Sequence, residues 1–114
     1  MFKNEVSEFI YKRTYSRWLD GEKRREEWPE TIERFLGFLI SERPDIPEKT
    51  ISKIRKYMTE FAVMPSMRFL WAAGPAAKLD NTCIYNCSFA KINCVEAFAE
   101  CLYILMSELV LVSR

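Results

Sequence analysis

The chain carries four cysteines, at positions 83, 87, 94 and 101, and no histidine. Thiols serve metal binding, nucleophilic attack or redox exchange. Without histidine the commonest general base and metal ligand are gone, and so is every Ser–His or Cys–His nucleophile. A structural zinc site wants close ligand pairs such as C-x₂-C, repeated. The cysteines here are separated by gaps of four, seven and seven, so no metal site is expected. Cys94 and Cys101 are placed on one face of a predicted helix, where free cysteine packs as a small hydrophobe. Cys83 and Cys87 are placed on one predicted strand, four residues apart and so facing the same side. Cys87 lies between Asn86 and Ser88, whose side chains can hydrogen-bond a polar ligand. No charged neighbour adjoins it to lower the thiol pKa. On spacing alone, a buried strand cysteine and a functional thiol both stay open.

The elements that must position these residues follow from periodicity. A first helix is predicted from Glu5 to Trp18, with Val6, Phe9, Ile10 and Arg13 at helical spacing, and Leu19-Asp20-Gly21 breaks it. A second begins near Trp28-Pro29, where proline suits the first turn and Glu26, Glu27 and Glu30 favour a helix start. Its stripe is Ile32, Phe35, Leu36, Leu39 and Ile40, and Arg43-Pro44 ends it. A third opens at Pro47-Glu48 and aligns Ile51, Ile54, Met58 and Phe61. After a break at Val63-Met64-Pro65-Ser66, residues 67–73 read as a short helix closing at Gly74-Pro75. Residues 78–81 read as a turn and residues 83–92 as one strand. Asn93, with Glu96 three positions on, is a capping box for a last helix striped by Val95, Phe98, Ala99, Leu102 and Leu105. A single strand has two unpaired edges. It is expected to need partner strands from outside this chain, which suggests a fragment of marginal stability.

Composition narrows the classes further. With 114 residues, 49% of them hydrophobic, the chain is long enough for one modest domain. Lys and Arg number 17 against 16 Asp and Glu, so the near-neutral balance does not favour nucleic acid as a partner. The aromatic-basic run at residues 11–18 reads as an exposed helix face rather than a base-stacking surface. No secretory signal is visible, and the apolar run at residues 97–112 is interrupted by Glu100, Ser107 and Glu108. It falls short of the roughly 20 apolar residues a membrane span requires. A cytoplasmic, reducing location is expected, where thiols stay free.

Several stretches together resemble the adenosylcobalamin-dependent (class II) ribonucleotide reductases, particularly the triphosphate-reducing kind. Tyr11-Lys12-Arg13-Thr14-Tyr15-Ser16-Arg17-Trp18-Leu19 resembles the family's entry segment. Met64-Pro65-Ser66-Met67-Arg68-Phe69-Leu70-Trp71-Ala72-Ala73-Gly74 is similar to a segment carrying Pro-Ser, an Arg and Leu-Trp before a glycine. Tyr85-Asn86-Cys87-Ser88-Phe89 is similar to the first barrel strand, and residues 97–107 to the helix after it. The resemblance implies a mainly α fold: a helical region at residues 1–62, then at residues 63–107 the start of a ten-stranded α/β barrel whose remainder is missing.

The resemblance also implies roles. In the family a thiyl radical takes hydrogen from the ribose 3′ carbon. Two strand cysteines then supply reducing equivalents as the 2′-hydroxyl leaves, and they end as a disulfide. Cys87 matches the first of these reductant cysteines, while Ser66, Asn86 and Ser88 match positions near the bound ribonucleotide. Cys83 and Cys94 match no catalytic position and are left as structural. The full-length family uses adenosylcobalamin and a thioredoxin-like thiol reductant; neither cofactor binding nor turnover is expected of this chain alone. Where the family continues with Ser-Gly-Thr-Gly-Val-Gly-Phe-Ser, this chain reads Glu108-Leu109-Val110-Leu111-Val112-Ser113-Arg114 after Ser107. One lost base would produce such a run, so residues 108–114 are expected to be a non-family tail of a truncated or frameshifted product. The alternative reading is a non-catalytic helical protein that docks on a complete reductase. A third is a helical domain whose cysteines only pack.

Overall fold

The computed structural model describes Phe2, residues 4–106 and residues 110–113, the last four and Ser88 by backbone alone. The chain runs α1 (Glu5–Thr14), β1 (Trp18–Leu19), β2 (Arg24–Arg25), α2 (Trp28–Glu42), α3 (Glu48–Thr59), α4 (Met67–Ala72), α5 (Pro75–Leu79), a 3₁₀ helix (Asn81–Ile84), β3 (Cys87–Ala90), α6 (Glu96–Met106) and β4 (Val110–Ser113). It is mainly α, as the periodicity predicts.

The second and third helices form where their stripes place them, and they hold the core. Ile32, Phe35 and Leu36 of α2 pack with Ile51 and Met58 of α3, all buried. Trp28 donates its indole N–H to the Met58 carbonyl at 3.2 Å, tying the start of α2 to the end of α3. Asn4 caps α1 by accepting from the Ser7 N–H at 2.8 Å. The first helix, however, buries Tyr11, while Val6, Phe9 and Ile10 are exposed.

That helix also ends at Thr14, four residues before the predicted Trp18. The reason is tertiary. Ser16 is buried and donates to the Glu26 carbonyl at 2.7 Å, and the Arg17 N–H donates to the Glu26 carboxylate at 3.2 Å. The chain then makes a small antiparallel hairpin, β1 against β2, which periodicity did not reveal. Thus the aromatic-basic run is not one exposed helix face; part of it is an anchor.

The buried Glu26 organises this anchor. Its carboxylate also accepts from Arg34 Nε at 2.9 Å and from Thr31 Oγ1 at 3.0 Å. Arg34 Nη1 donates onward to the Ala73 carbonyl at 2.6 Å, locking α4 against α2. Gly74, at φ 111°, then turns the chain into α5, a helix absent from the sequence reading.

Three further expectations are corrected here. Residues 83–92 are not one strand: Cys83 lies in the 3₁₀ helix and only Cys87–Ala90 is extended. Asp80 accepts from the Thr82 N–H at 2.9 Å and from its hydroxyl at 2.6 Å, which favours a turn over an extended chain. The last helix opens at Glu96, two residues later than an Asn93 cap would place it. Its Val95, Phe98, Leu102 and Leu105 stripe is exposed, and Ala97 and Cys101 are buried instead.

The strand is also not alone. β4 pairs with β3 in parallel over all four residues, in the register Cys87↔Val110, Ser88↔Leu111, Phe89↔Val112 and Ala90↔Ser113. Parallel strands need a crossover, and α6 supplies it, giving a β–α–β unit. The radius of gyration is 17.1 Å, against about 13 Å for a compact chain of roughly this length. The molecule is therefore elongated, with extents of 50 × 35 × 29 Å.

Candidate functional site

Cys87 opens β3, and its thiol is exposed. That overturns the buried alternative left open by spacing. Asn86 immediately precedes the strand and is exposed as well. Ser88 is the next strand residue, placed by its backbone against Leu111. The strand lead-in therefore presents a thiol beside a carboxamide, with the backbone held by parallel pairing on one side.

Ser66 belongs to a different element. It is the N-cap of α4, and its hydroxyl accepts from the Phe69 N–H at 3.2 Å. The helix it caps packs on the 3₁₀ helix, which leads through Tyr85 into Asn86. So the structure groups Asn86, Cys87 and Ser88 on one segment. It connects Ser66 to them only through intervening helical turns, and the Ser66 hydroxyl already has a capping partner.

The other thiols are placed unlike the reading from spacing. Cys83 is half-buried; burial pushes its thiol up, Asp80 adds to the rise, and Arg17 and Arg68 oppose it. Cys94 is exposed and precedes α6, so it shares no helix face with Cys101, which is buried within α6. Cys83 and Cys87 likewise share no strand. Among the described residues, no group of three or more His, Cys, Asp or Glu side chains is placed to hold a metal ion. No helix among them is long and apolar enough to cross a membrane.

Two clefts were not foreseen from sequence. One, of about 600 Å³, runs between the end of α2 and Tyr85, with Phe38 and Phe69 among its walls and Arg43 and Lys78 on its rim. The other, of about 370 Å³, opens between α1, α2 and the chain after α3, walled mainly by aromatic and aliphatic side chains. Cys87 lines neither. A sequence signal for the second was available in the aromatic residues Phe2, Tyr11, Trp28 and Phe61, but their convergence depends on tertiary packing.

An exposed thiol can exchange electrons with a partner thiol or disulfide, and a strand fixes its direction of approach. Comparison with known proteins gives that chemistry a context. Residues 1–75 match the family model described as ribonucleotide reductase alpha domain. That span includes Ser66 and stops short of Asn86, Cys87 and Ser88. The chain is similar to an adenosylcobalamin-dependent ribonucleoside-triphosphate reductase of Levilactobacillus brevis, 33% identical over 101 residues, covering 77% of this chain and 14% of the relative. The proteins of that name from Lactobacillus gasseri and Lactobacillus leichmannii are 33% identical over 100 residues and 31% identical over 94. They cover 77% and 72% of this chain, and each match spans 13% of the relative's own length. The chain thus spans about one seventh of the length of the curated relatives it matches. No solved structure matches it.

Proposed function

The chain belongs to the ribonucleotide reductase alpha-domain family, and on that premise we propose that it works as one part of an adenosylcobalamin-dependent ribonucleoside-triphosphate reductase, with Cys87 as a reductant thiol. In the overall reaction the C2′–OH of the ribose is replaced by C2′–H. Two thiols give up their hydrogens and become a disulfide, and the hydroxyl leaves as water. Cys87 supplies one thiol; the second, and the thiyl radical that opens the reaction, come from outside these residues. Asn86 and Ser88 flank the substrate, and Ser66 bears on it from the α4 N-terminus. A thioredoxin-like thiol reductant restores the pair. The observation that supports this reading is the exposed Cys87 at the head of a paired strand, beside Asn86.

We place adenosylcobalamin on the remainder of such a reductase. It supplies the radical when bound, but the two clefts described, of about 370 and 600 Å³, fall within the range for drug-sized ligands and do not fit a corrinoid. The experiment is a chimera in which these residues replace the matching segment of a full-length relative. Cys87→Ser is expected to abolish deoxynucleotide formation with a dithiol reductant, while Cys94→Ser leaves it. Equal activity of the two variants removes the role from Cys87. The chain by itself, given adenosylcobalamin, a ribonucleoside triphosphate and the reductant, is expected to form no product.

One observation supports a second reading, a non-catalytic chain docking on a complete reductase. Phe98, Leu102 and Leu105 stand exposed along α6, and exposed apolar patches invite partners. Capture of a full-length reductase by the chain, lost in Phe98→Asp, distinguishes it.

A further inference from the structure

We infer that the 370 Å³ cleft beside α1 is a binding site for a small hydrophobic amine, with the ring or alkyl body inside and the ammonium facing Glu60. The cleft lies among Phe2, Ile10, Trp28, Phe61 and Leu70, and Glu60 is the single charged residue among its described lining. Its size is that of a small-molecule pocket. Ile10 and Met64 at its walls are each 49% exposed, so it opens to solvent.

Two independent features select the charge of the occupant. The first is the aromatic wall. Trp28 and Phe61 stack with ring centroids 5.0 Å apart, and Phe2 lies 5.1 Å from Phe61 and 4.9 Å from Tyr11. Aromatic faces carry negative potential and attract cations. The second is Glu60, which is exposed and, among the described residues, has no hydrogen bond or ion pair for its carboxylate. No lysine or arginine appears in the described lining to neutralise it.

The backbone fixes the same corner. Phe61 sits at φ 57°, in the left-handed region that a non-glycine residue rarely adopts. The Ala62 N–H returns to the Tyr57 carbonyl at 2.9 Å, the helix-ending turn in which glycine is the usual occupant of that position. A phenylalanine there accepts the strain and places a ring against Trp28. Glu60, one residue earlier, is thereby held at the edge of the ring cluster. The site shares no residue with the segment around Cys87.

The test uses the 114-residue chain and three probes of one shape: 2-naphthylmethylamine, 2-naphthylmethanol and 2-naphthoate, titrated by methyl NMR. The amine is expected to shift Ile10, Met64 and Leu70 and to bind about five-fold more tightly than the alcohol, the scale of an exposed charge contact over an aromatic face. Glu60→Gln is expected to narrow the gap between amine and alcohol, leaving only the smaller preference of the aromatic wall. Ile10→Trp, at an exposed wall position, is expected to fill the cleft and remove the shifts. Met64→Trp serves as the second block should the first perturb α1. Equal binding of the three probes, an amine preference undiminished in Glu60→Gln, shifts that survive both blocks, or no binding would each overturn the inference.

Discussion

The helical region up to the 3₁₀ helix and the β–α–β unit after it are built on opposite terms. In the first, the large side chains Ile32, Leu36, Ile51, Met58 and Leu70 are almost fully enclosed, and a buried carboxylate joins three segments. In the second, the residues described as buried are Ala97 and Cys101, while Phe89, Phe98 and Leu102 face solvent. Yet the exposed thiol proposed as a reductant, Cys87, sits on the second. The well-packed region presents its neighbour through α4 and the 3₁₀ helix; the neighbour presents Cys87. The difference teaches that packing and the exposed thiol are divided along this chain, and that the part carrying Cys87 takes little stability from its own packing.

The sharpest way to break that contrast is to mutate the anchor. Glu26→Ala leaves Arg34 without its carboxylate in a poorly solvated setting and is expected to cost about 3–5 kcal/mol in urea unfolding. The exposed Arg43–Asp45 pair is the control, and Asp45→Ala should leave the unfolding midpoint unchanged. Next comes core truncation. Met58→Ala is expected to cost about 2–5 kcal/mol, whereas Phe98→Ala should stay within about 0.5 kcal/mol. Comparable losses at Met58 and Phe98 would mean that α6 is packed as firmly as α3, and the comparison would fail.

How legible this was in sequence differs by element for physical reasons. α2 and α3 were readable because one face of each is buried over several turns, which imprints i, i+3, i+4, i+7 spacing on Ile32, Phe35, Leu36 and Leu39 and on Ile51, Ile54 and Met58. α1 was misread at its end and on its face. Its boundary is set by Ser16 and Arg17 meeting Glu26, partners about ten residues away that no local propensity encodes. Tyr11 is buried because its hydroxyl meets Thr31 Oγ1 at 2.6 Å, again a long-range partner. At the candidate site, the position of Cys87 on a strand was legible from Tyr85 and Phe89. The partner strand was not, since Val110–Ser113 lies in what read as a tail. Cys94 was misplaced by the helix boundary alone. The Asp80–Thr82 turn that removes Cys83 from the strand was open to reading from the residue types.

The β3–β4 pairing gives a test of intermediate size. Leu111→Pro removes a backbone N–H from the middle of β4 and conflicts with a parallel ladder. Amide exchange at Cys87–Ala90 should accelerate strongly, while α2 amides keep their protection. Slower exchange in α2 than in β3 before mutation is part of the expectation. Loss of protection in both together would show one cooperative unit. Thiol labelling sharpens the contrast from the chemical side. Exposed Cys87 and Cys94 should react first with a small maleimide, Cys83 more slowly because burial raises its pKa, and buried Cys101 last. Mass mapping of partially labelled chains reads the order. Cys101 reacting alongside Cys87 would mean that α6 does not hold its inner face closed.

The smallest effect expected lies on the surface of the well-packed region. Arg24 donates to both carboxylate oxygens of Glu30 at 2.7 Å, and the Glu27 N–H adds a third bond at 2.7 Å. These hold the Glu30 carboxyl down to about 2, from an ordinary 4.5, with Arg24 the largest cause. A depressed folded-state pKa stabilises the fold above the unfolded value and loses that contribution as protons bind. The contribution is therefore complete above pH 4.5 and fades as pH falls toward 2. Arg24→Ala should return the Glu30 midpoint toward 4.5 in a carboxyl NMR titration, because only the Glu27 N–H and the weaker pull of the Lys12 charge remain to favour the charged form. Both groups are solvent-exposed, so the unfolding midpoint at neutral pH should barely move. A Glu30 titration unchanged by the substitution would assign the depression to the helix start rather than to Arg24. That outcome would separate the hairpin β1–β2 from α2 electrostatically and leave the Glu26–Arg34 anchor as their main polar link.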